Sequence, residues 1–367
     1  MNTSALKVGD GDLIQVDTTD NLSDGLWHAN HTHYDHDNGT SLSSYDILIP
    51  TLNCLLCLVG LVSNSLVIFT IVQQAKMRRV ASNIYIFNLA MADGLFMLGL
   101  PFLALQIALH RWPFGGFMCK LVMILDSINQ FTSVFCITML SVDRYLAVVH
   151  PIRSYKWHNP SLAKKISLML WLISFILVIP LAIYSDVDHT FGICTFIWPE
   201  PVFMWNTAFI VYTFVLGFVL PFIIITLCYI MLLVRIRTKA VTPCIQHSDS
   251  SEKKITCMVV AIVLGFAICW LPFYLINVCF LFLPLTVSFP IKRLFEFMVT
   301  LSYSNSCLNP ILYICLSESF WRSFQMMLCP QSVRRKKVTV WEDQRMCDLK
   351  DCQLTLSSGE MESILTC

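Results

Sequence analysis

Charged residues are scarce in this sequence. Asp, Glu, Lys and Arg together make up 13% of its 367 residues, whereas roughly 25% is usual in a soluble domain. Hydrophobic residues make up 56% of the chain. The formal net charge is only +1, so the chain also lacks the basic surplus of a nucleic-acid-binding domain. We therefore expect neither a soluble enzyme nor a nucleic-acid partner.

Long apolar runs take the place of the missing charge. A run of about 20 residues crosses a hydrocarbon core of about 30 Å, and such runs recur along most of the chain. We predict an all-α membrane protein whose seven-transmembrane helix bundle occupies residues 47–316, with spans at 47–73, 84–109, 117–149, 163–184, 203–234, 255–283 and 294–316. An N-terminal tail (1–46) precedes the bundle, and a short amphipathic cytoplasmic helix (317–329) and a cytoplasmic tail (330–367) follow it.

Enzyme signatures are also missing. The sequence contains no HExxH zinc motif, no GxSxG elbow and no GxxxxGK phosphate loop. It has no pair of aspartates on neighbouring late spans, which an intramembrane aspartyl protease needs. A retinal-binding photoreceptor is excluded because no Lys occurs between residues 294 and 316. We predict a protein that is not an enzyme and that carries no organic cofactor.

Basic residues lie mostly on one side of the predicted bundle. The other side carries only Lys7, Arg111, Lys120, Lys292 and Arg293. The positive-inside bias therefore predicts an extracellular N-terminus and a cytoplasmic C-terminus in a multi-pass plasma-membrane protein. The extracellular tail contains four N-glycosylation sequons, at Asn2, Asn21, Asn30 and Asn38.

Two of the 16 cysteines have a distinctive place in this topology. Only Cys119 and Cys194 fall in the oxidising exterior, so we predict a disulfide that holds the second outer loop to the third span. Cys329 follows an amphipathic stretch beside the membrane, which favours S-palmitoylation and contact with membrane lipid.

Two aspartates lie within apolar spans. An Asp at the centre of a membrane helix costs about 2.5–3.5 kcal/mol on insertion scales, so such residues are functional candidates, although either could instead cap a helix junction. Asp126 is in the outer half of its span and has no intramembrane Lys or Arg as a partner, which indicates that its cation arrives with a ligand. Asp93 is near mid-membrane. Polar residues that could converge on it and form a sodium site are Asn129, Ser133, Asn305 and Ser306.

A set of motifs, one per span, points to a family. It comprises Asn64, Leu89-Ala90-x-x-Asp93, Asp143-Arg144-Tyr145, Trp171, Pro221, Phe266-x-x-Cys269-Trp270-x-Pro272 and Asn309-Pro310-x-x-Tyr313. Together these resemble a rhodopsin-class G-protein-coupled receptor over about residues 45–330. Segments such as QAKMRRVASNIYIFNLAMAD and MVTLSYSNSCLNPILY are similar to somatostatin receptors, with opioid receptors as the nearest competitors. Gln130 after Asn129 and Asn277 within PFYLINV favour the somatostatin receptors.

This resemblance implies a ligand, partners and contacts. The ligand would be a somatostatin-type cyclic peptide whose Lys ammonium binds Asp126, with Gln130 in the same sub-pocket. The surrounding contacts would come from Gln106, Phe273, Asn277, Tyr303 and the loop around Phe196. An inhibitory heterotrimeric G protein would lower cyclic AMP, and arrestin would bind after phosphorylation of the tail.

A conformational switch is predicted on the inner side. Arg144 is next to Asp143 and within reach of Glu252, so a charge cluster could hold two helices together until a ligand favours their separation. Prolines 272 and 310 interrupt the sixth and seventh spans. Trp270, one turn from Phe266, would link the pocket to the kink, although ordinary aromatic packing remains an alternative. The resemblance adds Tyr145, Asn309 and Tyr313 to this switch.

A transporter or channel is the alternative from a different class, because intramembrane acids also mark ion pathways. We count only two such acids, Asp93 and Asp126, and find no internal repeat. Both observations favour the receptor.

Overall fold

The computed structural model describes residues 44–150, 159–239, 249–282, 289–316, 320–322 and 325. The chain divides into two units, residues 1–312 and residues 313–367. The asparagines of the four sequons and Cys329 lie outside the described residues, as does most of the predicted amphipathic helix.

The first unit is built from long helices. They are α1 (Ser44–Gln73), α2 (Ala81–Leu109), α3 (Gly115–Val149), α4 (Pro160–Tyr184), α5 (Val202–Phe214, a π-helical turn Val215–Val219, and Leu220–Lys239), α6 (Asp249–Phe282) and α7 (Phe289–Leu316, whose last four residues belong to the second unit). Each predicted span overlaps one of them. Within the described residues, α1 to α6 are long and apolar enough to cross a membrane. Helix α7 falls outside that set because serines and asparagines fill its middle.

The helix ends follow from local sequence. The side chain of Asn159 accepts a hydrogen bond from the Ser161 N–H at 2.9 Å and caps α4, whose first residue, Pro160, has no N–H to satisfy. His110 ends α2 in the left-handed conformation, and Gly115 enters α3 with a φ of 77°.

A β-hairpin lies between α4 and α5, and it was not predicted. Strands β1 (Ser185–Asp188) and β2 (Ile193–Phe196) pair antiparallel, with Val187 opposite Cys194. Gly192 supplies the positive φ of the turn, and its carbonyl accepts a hydrogen bond from the Trp112 N–H at 2.6 Å. The hairpin is therefore tied to the connection between α2 and α3.

Polar side chains join the helices on the inside of the bundle. Asn64 of α1 donates to the carbonyls of Gly60, at 2.9 Å, and of Ser306 in α7, at 3.0 Å. Trp171 of α4 donates to Asn88 of α2 at 3.0 Å. Leucines and isoleucines are instead exposed on the outside, as on α4, which suits a helix surrounded by lipid.

Candidate functional site

The predicted disulfide is present at the N-terminal end of α3. Cys119 is bonded to Cys194 of β2, with their Cα atoms 5.5 Å apart. Gln106 of α2 supports the same strand, because its amide oxygen accepts from the Cys194 N–H at 2.8 Å and its NH₂ group donates to the Cys194 carbonyl at 3.4 Å. The side chain predicted to contact ligand is thus engaged with the loop backbone.

Asp126 lies two helical turns after Cys119 in α3, on the same face of the helix as Gln130. Its side chain is partly buried, and it makes no hydrogen bond or ion pair within the described part of the chain. Tyr274 of α6 and Tyr303 of α7 lie near enough to Asp126 for its negative charge to act on them. A carboxylate held in a membrane bundle without a partner needs a cation from outside to offset its desolvation.

Aromatic side chains cluster around Phe273 of α6. The Phe273 ring lies 5.9 Å from Trp270 and 6.2 Å from Phe295, and Asn277 donates to the Phe273 carbonyl at 2.8 Å. These groups offer apolar and π surface on α6 and α7. Phe196 of β2 packs against α5 through Phe209, with ring centroids 5.1 Å apart.

Asp93 is fully buried and surrounded by hydrogen-bond donors from α3 and α7. Its Oδ1 accepts from the hydroxyls of Ser306 at 2.8 Å and Ser133 at 3.2 Å, and its Oδ2 accepts from the Asn309 amide at 3.1 Å. Asn129 is one bond further away, since it accepts from Ser133 at 2.9 Å and donates to Ser306 at 3.2 Å. The structure thus brings Asn309, which was assigned to the switch, into direct contact with Asp93.

The atoms around Asp93 fit a small hard cation. Asn305 makes no contact of this kind, but its side-chain oxygen and that of Asn309 are both buried without a hydrogen-bond partner in the described ranges. A buried carboxylate, two hydroxyls and unpaired amide oxygens are the ligand types that such a cation prefers.

At the C-terminal end of α3, Arg144 is held by its neighbour and by α2. Its guanidinium donates to Oδ2 of Asp143 at 2.5 Å and 3.2 Å. Ser82 of α2 donates to the same carboxylate oxygen at 2.7 Å and accepts from Arg144. The side chain of Glu252 lies outside the described residues, and Tyr145 contacts His150 at 3.3 Å. Ser82 was not predicted as a site residue, because a serine near the start of a helix does not by itself indicate a contact with another helix.

Comparison with known proteins decides the family. The model of the 7 transmembrane receptor (rhodopsin family) matches residues 63–313. The chain is 49% identical to somatostatin receptor type 5 of Rattus norvegicus over 284 residues, which cover 77% of this chain and 78% of that protein.

This chain belongs to the somatostatin receptor family. It is 44% identical to somatostatin receptor type 2 of Mus musculus over 315 residues, 84% of this chain and 85% of that protein. It is 46% identical to somatostatin receptor type 3 of Homo sapiens over 299 residues, 80% and 71% of the respective lengths. The predicted seven-helix fold and receptor family are confirmed. The chain is therefore a multi-pass membrane receptor and not an enzyme.

An aromatic stack connects α5 and α6 in this receptor. Trp270 lies 6.1 Å from Phe266, which lies 6.0 Å from Phe218 of α5. The Trp270 indole N–H is buried without an acceptor among the described residues.

The other predicted switch residues lie in α6 and α7. Pro272 and Pro310 lie inside these two helices. In the second unit, the Tyr313 ring lies 5.9 Å from Phe320.

Our count of two intramembrane acids was wrong. Asp143 lies within the predicted span 117–149, and Glu296 lies within the predicted span 294–316. Asp143 pairs with Arg144 at 2.5 Å, and Glu296 pairs with Arg293 at 2.9 Å, with all four side chains largely buried. The count missed both acids because they lie near the ends of their spans, where their arginine partners were assigned to the two sides of the membrane. Each of these acids has its own cation, in contrast to Asp126.

Proposed function

We propose that this protein is a plasma-membrane receptor for a cationic cyclic peptide of the somatostatin type, and that it lowers cyclic AMP through an inhibitory heterotrimeric G protein. One observation carries the proposal: Asp126 is an intramembrane carboxylate without a partner in the described part of the protein. The bound peptide supplies the missing cation.

The surroundings of Asp126 support a peptide as the ligand. The ammonium of a Lys side chain is a compact cation with three donors, and Asp126 and Gln130 offer acceptors on one face of α3. Phe273 and Tyr303 add aromatic surface on α6 and α7. The relatives named above are called somatostatin receptors, which favours that peptide class over the opioid alternative.

The inner side supports a G protein as the partner. Arg144 is partly buried and is held by Asp143 and Ser82. Release of the guanidinium from Asp143 and Ser82, together with movement of α6 away from α3, would open a cavity for an inserted helix, which is a helix-in-groove mode of recognition. Coupling to the inhibitory class is inferred from the resemblance.

The orientation completes the proposal. The N-terminus is extracellular and carries glycans on the sequon asparagines, and the C-terminus is cytoplasmic. The tail binds arrestin after phosphorylation, and a palmitate on Cys329 inserts into the lipid.

A peptide screen on cells that express the full chain tests this function. We expect a somatostatin-type peptide to suppress cyclic AMP and pertussis toxin to abolish the suppression. A response to opioid peptides alone would favour the runner-up. Ion flux in proteoliposomes without nucleotide exchange on added G protein would contradict the receptor function.

Asp93 is proposed to hold a sodium ion together with the oxygens of Ser133, Ser306 and Asn305. Replacing Asp93 with Asn should remove the dependence of peptide affinity on sodium, because the charge that binds the ion is lost. Allosteric couplings of this kind typically change affinity by about 5- to 150-fold. Competition binding in sodium chloride and in choline chloride measures the effect. If the mutant remains as sensitive to sodium as the wild type, the proposed site is wrong.

A further inference from the structure

Three helices meet at the hydroxyl group of Tyr274. Gln130 of α3 donates to this oxygen at 2.5 Å, and the hydroxyl donates to the backbone carbonyl of Thr213 in α5 at 3.3 Å. The Tyr274 ring is buried between Phe214 and Phe218, whose centroids lie 5.3 Å and 5.4 Å away. Neither Tyr274 nor Thr213 was a predicted site residue.

The hydrogens available at this junction fix the direction of the Gln130 amide. A phenol has one hydrogen to donate, and a backbone carbonyl can only accept. Since the Tyr274 hydrogen is directed to Thr213, its oxygen can only accept from Gln130. The NH₂ end of the Gln130 amide must therefore face Tyr274. Its carbonyl oxygen is the end left for another partner, and no partner for it is seen in the described residues.

The backbone of α5 makes room for this hydroxyl. The π-helical turn Val215–Val219 begins two residues after Thr213 and interrupts the regular hydrogen-bond pattern. Next to such a turn a carbonyl is accessible to an outside donor. A Cβ atom on Gly217 would lie 2.8 Å from the Tyr274 hydroxyl and 3.6 Å from the Gln130 amide nitrogen. Glycine at this position is thus needed for the junction.

We propose that Tyr274 is a positioning residue for ligand recognition. Its hydroxyl holds the Gln130 amide so that the amide oxygen and the Asp126 carboxylate, one turn apart on α3, form a pair of acceptors for a primary ammonium. This inference rests on the proposed function, because it assumes a cationic ligand at Asp126. If the amide were reversed, its NH₂ group would face the cation and oppose binding.

The acceptor pair distinguishes two kinds of cation. An ammonium can share its three N–H groups between acceptors that follow each other along one helix face. A guanidinium is planar and matches a single carboxylate with two parallel hydrogen bonds. Loss of the Gln130 orientation should therefore weaken an ammonium ligand more than a guanidinium ligand.

Replacement of Tyr274 by Phe in the full receptor tests this role. Competition binding would use a somatostatin-type peptide with its Lys and the same peptide with Arg in that place. We expect the affinity for the Lys peptide to fall by about 10-fold or more, which is the scale of a hydrogen bond to a charged group, and the preference for Lys over Arg to shrink. In a Gln130→Ala background, Tyr274→Phe should have little further effect.

Two glycine variants provide a second route and its control. Gly217→Ala displaces the Tyr274 hydroxyl without removing it and should reproduce the shift in preference. Gly265→Ala adds the same methyl group to α6, where the nearest atom would be a Leu312 methyl at 3.9 Å, and should leave the preference unchanged. Antibody counting of receptors at the cell surface corrects for expression.

Two results would overturn the inference. One is an equal loss for the Lys and Arg peptides in both Tyr274→Phe and Gly217→Ala. The other is a loss in Tyr274→Phe that persists undiminished without Gln130. A wild-type receptor that binds neither peptide would instead overturn the proposed ligand, and the role of Tyr274 with it.

Discussion

Asp126→Asn should nearly abolish binding of the cationic peptide while the receptor still reaches the cell surface. The substitution keeps the shape of the side chain and removes its charge. Truncating one partner of a buried charge pair typically costs about 2–5 kcal/mol in binding. The Asp126 carboxylate makes no hydrogen bond or ion pair with described residues, so folding loses no such interaction. Removal of a desolvated charge should leave expression unchanged or raise it.

Asp186→Asn is the matched control for this prediction. It makes the same chemical change at a residue of β1 whose side chain is 49% exposed and lies 3.7 Å from Lys120. Exposed ion pairs contribute about 0–1 kcal/mol, so peptide affinity should change little. Binding to both variants would be measured by saturation with labelled peptide. Wild-type affinity in Asp126→Asn, or equal losses in the two variants, would show that Asp126 is not the specific counter-charge.

Residues that are costly or unusual at their predicted location could be identified from the sequence. Asp93 and Asp126 stand out because a carboxylate in an apolar run is expensive, and the structure surrounds Asp93 with donors from α3 and α7. Cys119 and Cys194 were paired correctly because the topology left no other cysteine outside. A carboxylate in an apolar span and a cysteine on the predicted exterior can both be recognised from the sequence. Neither requires knowledge of which residues pack against it.

Residues that act through their neighbours could not be found in this way. Ser82 and Tyr274 are ordinary residues in their segments, and only packing shows that they bind Asp143 and Gln130. The orientation of Gln106 toward the Cys194 backbone likewise depends on where the loop folds. The π-helical turn before Pro221 is a backbone feature, for which a proline in the sequence predicts only a kink.

The largest expected effect on signalling is at Arg144. Replacing Arg144 with Ala should abolish peptide-stimulated nucleotide exchange on an inhibitory G protein and leave peptide binding intact. Binding should survive because Gln130 and Arg144 are separated by about 20 Å along α3, at 1.5 Å per residue. Exchange should fail because the guanidinium is the permanent cation that the opened cavity presents to the inserted partner helix.

Ser82→Ala should act in the opposite direction and is the informative comparison. Ser82 donates to Asp143 and accepts from Arg144, so its loss weakens the resting arrangement while the guanidinium is kept. A hydrogen bond to a charged group contributes about 1.5–3 kcal/mol, and a shift of that size toward the open state should raise exchange without peptide about 10-fold. Exchange assays on membranes with added G protein measure both variants. Normal exchange in Arg144→Ala would refute the switch. Unchanged basal exchange in Ser82→Ala would show that the contact between α2 and α3 does not hold the receptor at rest.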